Sequence, residues 1–282
     1  MPYILFKGRK IYYEDQGSGE CLLFVHEWNA SSASFRKINR KYFTGEYRVV
    51  CPDLPGYGNS EFLEDIRFDD LSEIMAALLD SLDIEKGYLA GFCLGATILL
   101  DFYRKYPGRV ESLVLIEPLV FFPRVLTPLL NRWIGISFLR NITRHRYLFS
   151  PLASRLIGDR RRGFAMVHHT MGSSEPGISV RYLQMLHHQH RKAGIRYHTF
   201  DLQVRCLCVA GEKSPRIFKR DLRYLLHRFP SIECYMVEGT KHYVLLGKPA
   251  DVARRILQFF TLQDSPLSKG NHFLDGHETT AS

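Results

Sequence analysis

Continuous apolar runs alternate along the chain with longer stretches in which apolar residues recur every three or four positions. The first pattern is typical of a strand buried on both faces of a sheet, and the second of a helix packed against a sheet. Strands are therefore predicted at residues 21–25, 47–51, 87–90, 110–116, 204–210 and 233–237, and alternation of side chains predicts two more at residues 3–6 and 10–14. Helices are predicted from residue 35 onward and over 70–82, 94–106, 217–228 and 250–262. This order favours an α/β fold, with a mostly parallel, eight-stranded sheet and helices on both of its faces.

The alternation stops between Leu119 and Phe200, where helical periodicity is present but no strand-like run. The interruption follows a single strand, which is the pattern expected of a helical cap inserted into a core. The predicted organisation is a core of residues 1–118 and 201–262 and a cap of residues 119–200. Residues 263–282 are rich in Ser, Gly, Thr and His, so this tail is predicted to lack fixed structure.

The formal charge of +9 is concentrated in the predicted cap, which holds 13 Lys and Arg residues and two acids. The favoured interpretation is a set of solvated helix faces, since long basic side chains cover apolar surface well. The alternative is attraction to an anionic partner, such as an anionic or carrier-bound substrate or a membrane surface. For a peripheral membrane contact, Arg124, Arg132 and Arg140 stand among apolar residues at spacings that suit an interfacial helix face. The chain has no nucleic-acid-binding motif, so no such partner is expected.

The six cysteines are scattered, mostly within apolar runs, and none forms a Cys-x-x-Cys pair. Most are expected to be reduced, and neither a metal site nor a cofactor is predicted. The first residues lack a charged leader followed by an apolar segment, and no apolar run reaches the roughly 20 residues that span a membrane. A cytoplasmic location is therefore expected.

One short stretch, residues 91–95, has the pattern Gly-x-Cys-x-Gly between a predicted strand and a predicted helix. A turn of this form holds a nucleophile in a strained conformation with its tip exposed, while small flanking residues let strand and helix approach closely. The pattern predicts Cys93 as a nucleophile. On its own it is weak, because a buried cysteine between two turn glycines has the same pattern.

The stretch belongs to an ordered set of motifs. His26-x-Trp28 follows the third strand, and Asp53-Leu-Pro-Gly-Tyr-Gly58 follows the fourth. Gly239-Thr-Lys-His242 follows the last strand. Together with the turn at Cys93, this order resembles that of the α/β-hydrolase superfamily, in its form with a helical cap.

The resemblance implies the α/β-hydrolase fold and assigns roles to particular residues. Cys93 corresponds to the nucleophile and His242 to the general base. The backbone N–H groups of Leu94 and Trp28 correspond to the oxyanion hole. Three further residues are expected beside the site: His26, Glu27 and Phe92.

Two positions depart from the superfamily pattern. Glu27 stands where a glycine usually follows the histidine, and a carboxylate there would oppose a developing oxyanion. After the seventh strand, Ser214 takes the place of the usual acidic residue. Two residues are candidates for orienting His242: Glu117, at the end of the sixth strand where some superfamily members keep a relocated acid, and the hydroxyl of Ser214. Glu117 ranks first, and a hydrogen bond from a His242 ring nitrogen to its carboxylate is expected.

A cysteine nucleophile makes the displaced acid less costly. A serine enzyme loses roughly 10⁴ in turnover when the acid no longer sets the histidine tautomer. A thiol has a pKa of about 8.5, near that of imidazole, so the Cys93–His242 pair is expected to ionise itself.

These features predict an acyl-bond hydrolase that cleaves a small ester, thioester or lactone through a Cys93 acyl-enzyme, with His242 as base. An acyltransferase with the same pair remains open, because a thioester intermediate serves water and other acceptors alike. A non-catalytic ligand-binding protein is the third interpretation. Glu27 and the displaced acid favour it, whereas the retained Cys93 and His242 oppose it.

Overall fold

The structure is a computed structural model, and it describes residues 2–144, 175–196 and 199–261. The strands of the described residues are β1 (Tyr3–Phe6), β2 (Arg9–Gln16), β3 (Glu20–Val25), β4 (Tyr47–Pro52), β5 (Gly87–Phe92), β6 (Val110–Ile116), β7 (Arg205–Gly211) and β8 (Glu233–Val237). They form one eight-stranded sheet in the order β1-β2-β4-β3-β5-β6-β7-β8. The β1–β2 and β2–β4 pairs are antiparallel and the other pairs are parallel. The predicted mostly parallel sheet is therefore confirmed.

The helices of the described residues are α1 (Arg36–Tyr42), α2 (Phe68–Ser81), α3 (Leu94–Lys105), α4 (Arg132–Arg144), α5 (Pro176–Arg196), α6 (Arg216–Arg228), α7 (Val244–Gly247) and α8 (Pro249–Thr261). Short 3₁₀ segments cover Ser32–Ser34, Pro107–Arg109 and Arg124–Leu130. The predicted bounds of β6 and β8 are those observed. The strand β5, by contrast, runs two residues beyond its predicted end, because its pairing with β6 continues through Gly91 and Phe92.

The central strands owe their apolar sequences to burial on both faces of the sheet. Every residue of β5 is buried, as are all but one of the residues in β3 and in β6. Helix α3 packs directly on β5, and its apolar side carries Ile98, Leu99 and Phe102, all fully buried. The carboxyl ends of β3, β5 and β6 therefore emerge from the most tightly enclosed part of the core.

Between β6 and β7, the described residues form the 3₁₀ segment, α4 and α5, with no strand among them. Helix α5 lies against the core, since the hydroxyl of Tyr182 donates to the carbonyl of Pro55 over 3.0 Å. Its Gln184 side chain also donates to the carbonyl of Leu130 over 2.9 Å, which ties α5 to the 3₁₀ segment.

The cap bounds at residues 119 and 200 remain a prediction. Residues 145–174, within the predicted cap, and the predicted tail at 263–282 lie outside the described residues. No helix in the described part of the chain is long and apolar enough to cross a membrane.

Candidate active site

The candidate site lies where four neighbouring parallel strands end. The strands β5, β6, β7 and β8 are adjacent in the sheet and parallel, so their carboxyl ends open on the same edge. The residue that follows β5 is Cys93, the one that follows β6 is Glu117, and Ser214 and His242 stand in the loops after β7 and β8. The order of strands thus gathers side chains that are far apart in the sequence.

Cys93 occupies a strained turn between β5 and α3. Its φ is 51° and its ψ is −105°, a combination that costs energy for any residue with a Cβ atom. The turn is compact because Gly95 lies against the backbone that follows β3. A Cβ atom on Gly95 would overlap the carbonyl oxygen of Val25. The Gly-x-Cys-x-Gly stretch therefore forms a tight, positive-φ elbow between β5 and α3, and the role of Cys93 as nucleophile stays a prediction.

Glu117 holds the imidazole of His242. The ring nitrogen Nδ1 of His242 lies 3.2 Å from Oε2 of Glu117, and the carboxylate is fully buried. The hydrogen bond expected from the sequence is therefore present. Because a carboxylate only accepts, this contact places the proton on Nδ1 and leaves the lone pair on Nε2.

Ser214 has a different hydrogen-bonding role from the one expected. Its hydroxyl donates to Oε1 of Glu117 over 2.5 Å, and the backbone N–H of Gly211 donates to the same oxygen over 2.6 Å. Since Nδ1 of His242 is engaged by Glu117, Ser214 does not serve as its acceptor. Ser214 instead fixes the carboxylate, which receives three donors in all.

Aromatic rings enclose the imidazole of His242. The ring of Phe218 from α6 stacks on it with centroids 3.8 Å apart, and the ring of Phe92 stacks at 5.3 Å. Tyr243 approaches edge-on at 5.0 Å. These contacts fix the plane of the imidazole ring. One of them, the contact with Phe92, joins His242 to the residue directly before Cys93.

The loop after β3 is fixed by the buried His26. The N–H of Leu54 donates to Nε2 of His26 over 3.0 Å, so Nδ1 carries the proton and donates to the carbonyl of Glu27 over 2.8 Å. Burial lowers the pKa of His26 and keeps the ring neutral. Asp53 anchors the same loop by accepting the N–H of Ser32 over 2.7 Å. His26 is therefore a positioning residue.

Trp28 lies on this loop and is half-buried. Its indole N–H donates to the carbonyl of Ser179 in α5 over 3.1 Å, so the loop is tied to the segment between β6 and β7. The other expected oxyanion donor, the N–H of Leu94, belongs to the first residue of α3, directly after Cys93. Cys93 and both expected donors thus belong to two backbone segments that are packed against each other.

Glu27 is buried close to the thiol. It is 6% exposed, and its Oε2 has no hydrogen-bond partner among the described residues. Burial raises the pKa of the Glu27 carboxyl from 4.5 to about 7. Burial also raises the pKa of the Cys93 thiol, and Glu27 and Glu117 raise it further. The surroundings of the thiol therefore favour its neutral form, and self-ionisation of the Cys93–His242 pair stays a prediction.

Two residues of the site had no signal in the sequence. Phe218 belongs to an ordinary amphipathic helix, and nothing in its spacing indicates a contact with His242. Asp221, fully buried in the same helix, accepts the backbone N–H groups of Val120 and Phe121 over 2.8 Å each. That contact joins segments a hundred residues apart, which only the folded chain reveals.

The fold and the site define a class of protein. A family profile for the α/β hydrolase fold matches residues 20–249, and the chain belongs to this family. Among the similar sequences, an uncharacterized hydrolase of Saccharomyces cerevisiae is 32% identical over 111 residues, which is 38% of each chain. The dihydrolipoyllysine-residue acetyltransferase component of the acetoin cleaving system of Pseudomonas putida is 38% identical over 112 residues, 39% of this chain and 30% of that one. The chain thus spans well under half of the length of these relatives.

Solved structures share the fold over nearly the whole chain. A thermophilic esterase from Thermogutta terrifontis superposes with a TM-score of 0.74 at 17% identity, covering 93% of this chain and 98% of that one. The enol-lactonase from Burkholderia xenovorans LB400 superposes with a TM-score of 0.76 at 13% identity, covering 92% and 100%. At these identities the likeness establishes the fold.

Proposed function

We propose that this protein is an acyl-bond hydrolase that acts through a covalent Cys93 acyl-enzyme. The proposal rests on one arrangement: Cys93 stands at a positive-φ elbow directly after Phe92, the ring of Phe92 stacks on the His242 imidazole at 5.3 Å, and Nδ1 of that imidazole is hydrogen-bonded to a buried carboxylate at 3.2 Å. In this reading Cys93 is the nucleophile, His242 the general base and Glu117 the acid that orients it. The substrate is a small ester, thioester or lactone, and no cofactor takes part.

In the first step, Sγ of Cys93 attacks the substrate carbonyl carbon while Nε2 of His242 takes the thiol proton. Because burial favours the neutral thiol, the proton leaves as the bond forms. The carbonyl π electrons move to oxygen, and the N–H groups of Leu94 and Trp28 stabilise that oxyanion. Leu94 lies in the first turn of α3, where the helix dipole adds to the same effect.

The intermediate then collapses. The carbonyl re-forms, the bond to the alcohol or thiol breaks, and the His242 imidazolium gives its proton to that leaving group. A water molecule next attacks the thioester and gives a proton to Nε2. The second collapse releases the carboxylic acid and returns the proton to the sulfur of Cys93.

Glu117 stabilises each of these proton transfers. Its carboxylate faces Nδ1, so the imidazolium formed on Nε2 protonation has a negative partner inside the protein. Ser214 and the N–H of Gly211 hold the carboxylate in that orientation. The displaced acid was one reason to favour a non-catalytic protein, and this contact removes that reason.

The segment that follows Glu117 is a candidate lining for an apolar acyl group. Leu119, Val120 and Phe122 are buried. The Thr97 hydroxyl in α3 donates to the carbonyl of Leu119 over 2.5 Å, which holds the start of this segment beside the elbow. Apolar walls with a few convergent polar groups are the usual composition of small-ligand pockets.

Acyl transfer is the second candidate function. The observation that favours it is the similarity to the acetyltransferase component from Pseudomonas putida, reported above. The same Cys93 thioester would then be resolved by an alcohol, amine or thiol in place of water. The two functions share every residue of the first step.

The test is turnover of p-nitrophenyl ester and acyl-CoA panels by the wild type and Cys93→Ala. Cys234→Ala is the matched control, because Cys234 is a free cysteine in β8 away from the elbow. We expect turnover in the wild type and in the control, none in Cys93→Ala, and an acyl adduct on Cys93 by intact-protein mass spectrometry. Added acceptors that divert product from acid to ester or amide would indicate transfer. Turnover that survives Cys93→Ala would refute the nucleophile, and an inert wild type with no selective labelling of Cys93 would favour the ligand-binding interpretation.

A further inference from the structure

One short segment between β6 and α5 exposes most of the large apolar side chains that the described residues leave in contact with solvent. Trp133 is 82% exposed and Val125 is 81% exposed. Ile134 and Phe138 are 55% and 42% exposed. Elsewhere in the described residues, large apolar groups of this kind are limited to Tyr3 and Leu5 at the opposite end of the sheet order. Several large apolar side chains exposed in one short segment indicate an interaction site.

The outward orientation of these side chains follows from how α4 is held. A Cβ atom on Gly135 would overlap the carbonyl oxygen of Leu129, so the helix backbone lies directly on the 3₁₀ segment. Gly135 also lies against Val180 of α5, and Leu139 is buried one turn later. With this side packed inward, positions 133, 134, 137 and 138 lie together on the opposite side of the helix.

The start of α4 is fixed as well. The side-chain oxygen of Asn131 accepts the backbone N–H groups of Trp133 over 3.0 Å and Ile134 over 3.2 Å. This is the bonding of an N-cap residue, and it satisfies donors that the first turn of a helix leaves unpaired. The exposed tryptophan is therefore carried by an ordered helix end.

Exposed arginines lie in the same segment as these apolar side chains, and the described part of the segment, residues 118–144, has no Asp or Glu. Arg132 and Arg140 are exposed on α4, and Arg124 is exposed on the 3₁₀ segment. These 27 residues contain four arginines, at positions 124, 132, 140 and 144. A protein partner with an apolar patch would not need this excess of one charge, whereas a bilayer with anionic headgroups complements it.

We propose that this surface docks on an anionic lipid bilayer. It comprises Val125, Trp133, Ile134 and Phe138 together with Arg132 and Arg140, and is called the arginine–aromatic face below. The apolar side chains enter the boundary between headgroups and acyl chains, and the guanidinium groups contact lipid phosphates. Tryptophan suits this boundary because its ring is apolar and its N–H is polar. The inference is independent of the proposed hydrolysis, since none of these residues belongs to the candidate active site.

Co-sedimentation with lipid vesicles tests the proposal. We expect binding to vesicles of phosphatidylcholine with about 30% phosphatidylglycerol and little binding to phosphatidylcholine alone. Raising the salt from about 0.05 M to about 0.5 M should weaken binding, because it screens the contacts between arginine and phosphate. The double variant Trp133→Ser, Phe138→Ser should bind at least about tenfold more weakly than the wild type, because most of the apolar area is lost. Leu5→Ser is the matched control, an exposed apolar residue (72%) outside the face, and should bind like the wild type.

Tryptophan fluorescence gives a second readout. The chain has two tryptophans, Trp28 and Trp133. The difference between the wild type and Trp133→Phe isolates the emission of Trp133, which should shift to shorter wavelength when anionic vesicles are added. An unchanged emission maximum would place Trp133 outside the bilayer.

Three results would overturn the docking proposal. It is overturned if anionic vesicles are not bound, or if the double variant binds them as well as the wild type. It is also overturned if the wild type self-associates without lipid and the double variant does not, because the face would then be covered by a second copy. Hydrolysis of p-nitrophenyl acetate should be equal in the wild type and the double variant, so a failure of docking and a failure of catalysis are distinguishable.

Discussion

Replacing Glu27 by Gln tests the electrostatic description of the site. Burial raises the pKa of Glu27 from 4.5 to about 7, which corresponds to about 3 kcal/mol of differential interaction. A carboxyl that binds its proton more tightly in the folded protein stabilises the fold fully below its unfolded-state pKa. That stability is lost as the pH rises through the folded-state pKa. Glu27→Gln removes this titration. The free energy of unfolding of the variant should therefore rise relative to that of the wild type between about pH 4.5 and 7. At pH 8.5 the difference between the two should have moved in favour of the variant by up to about 3 kcal/mol from its value at pH 4.5.

Urea unfolding followed at several pH values from 4.5 to 8.5 measures this difference. The quantity of interest is the change with pH of the gap between the free energies of unfolding of variant and wild type. Groups that titrate in both proteins cancel in that gap. Glu64→Gln is the control, since Glu64 is an exposed glutamate in the loop before α2, and its gap should stay flat. A gap that is equally flat for Glu27→Gln would refute the reasoning.

The thiol provides an independent measure of the same charge. The titratable groups on which the Glu27 carboxylate acts are Cys93 on the elbow and Tyr243 after β8. An ionised Glu27 raises the pKa of Cys93, so alkylation of Cys93 by iodoacetamide should be several-fold faster in Glu27→Gln than in the wild type above pH 7. Below about pH 6 the two rates should converge. Equal rates throughout would show that Glu27 does not act on the thiol.

Three further predictions concern the framework of the site. Glu117→Gln should lower kcat by roughly 10² to 10⁴ with a small change in KM, measured by steady-state kinetics, because the tautomer and imidazolium of His242 lose their partner. Gly95→Ala should destabilise the fold by about 3 kcal/mol or more in urea unfolding, because its Cβ atom meets backbone, whereas Gly108→Ala, with open space at that position, should change it by less than about 1 kcal/mol. Asp221→Ala should cost about 3 kcal/mol in the same assay, since it removes the acceptor of two backbone N–H groups, of which that of Val120 is buried and that of Phe121 part-buried.

The strands could be predicted because their burial is nearly complete. The strand β6 is enclosed on both faces: after Glu111 and Ser112 near its start, it is apolar through Ile116, and both its bounds were found. The end of β5 was missed because Gly91 is read as part of a turn in sequence, while in the sheet it pairs with Leu115. Local chemistry indicates a turn there, and the pairing that overrides it comes from a distant strand.

The site residues that could be predicted are those whose place at the end of a strand determines their role. Glu117 was ranked above Ser214 because it ends a strand, and the structure has the expected hydrogen bond to His242. The donor role of Ser214 was not foreseeable, since one hydroxyl can donate or accept and only geometry decides. The raised pKa of Cys93 was not foreseeable either, because it depends on burial and on Glu27, neither of which is visible in the spacing of motifs.

An acid after β6 suits this site as well as an acid after β7 would. The two strands are adjacent and parallel, and the backbone N–H of Glu117 donates to the carbonyl of Val209 in β7 over 2.8 Å. A carboxylate at either strand end therefore reaches the loop after β8. The relocation has one cost, because Glu117 immediately precedes the segment that leads toward α4, and movement of that segment would displace the acid. Asp221 and Thr97 hold the segment at three successive residues, through the N–H groups of Val120 and Phe121 and the carbonyl of Leu119. These hydrogen bonds keep Glu117 within hydrogen-bonding distance of His242, so loss of Asp221 should reduce turnover as well as stability.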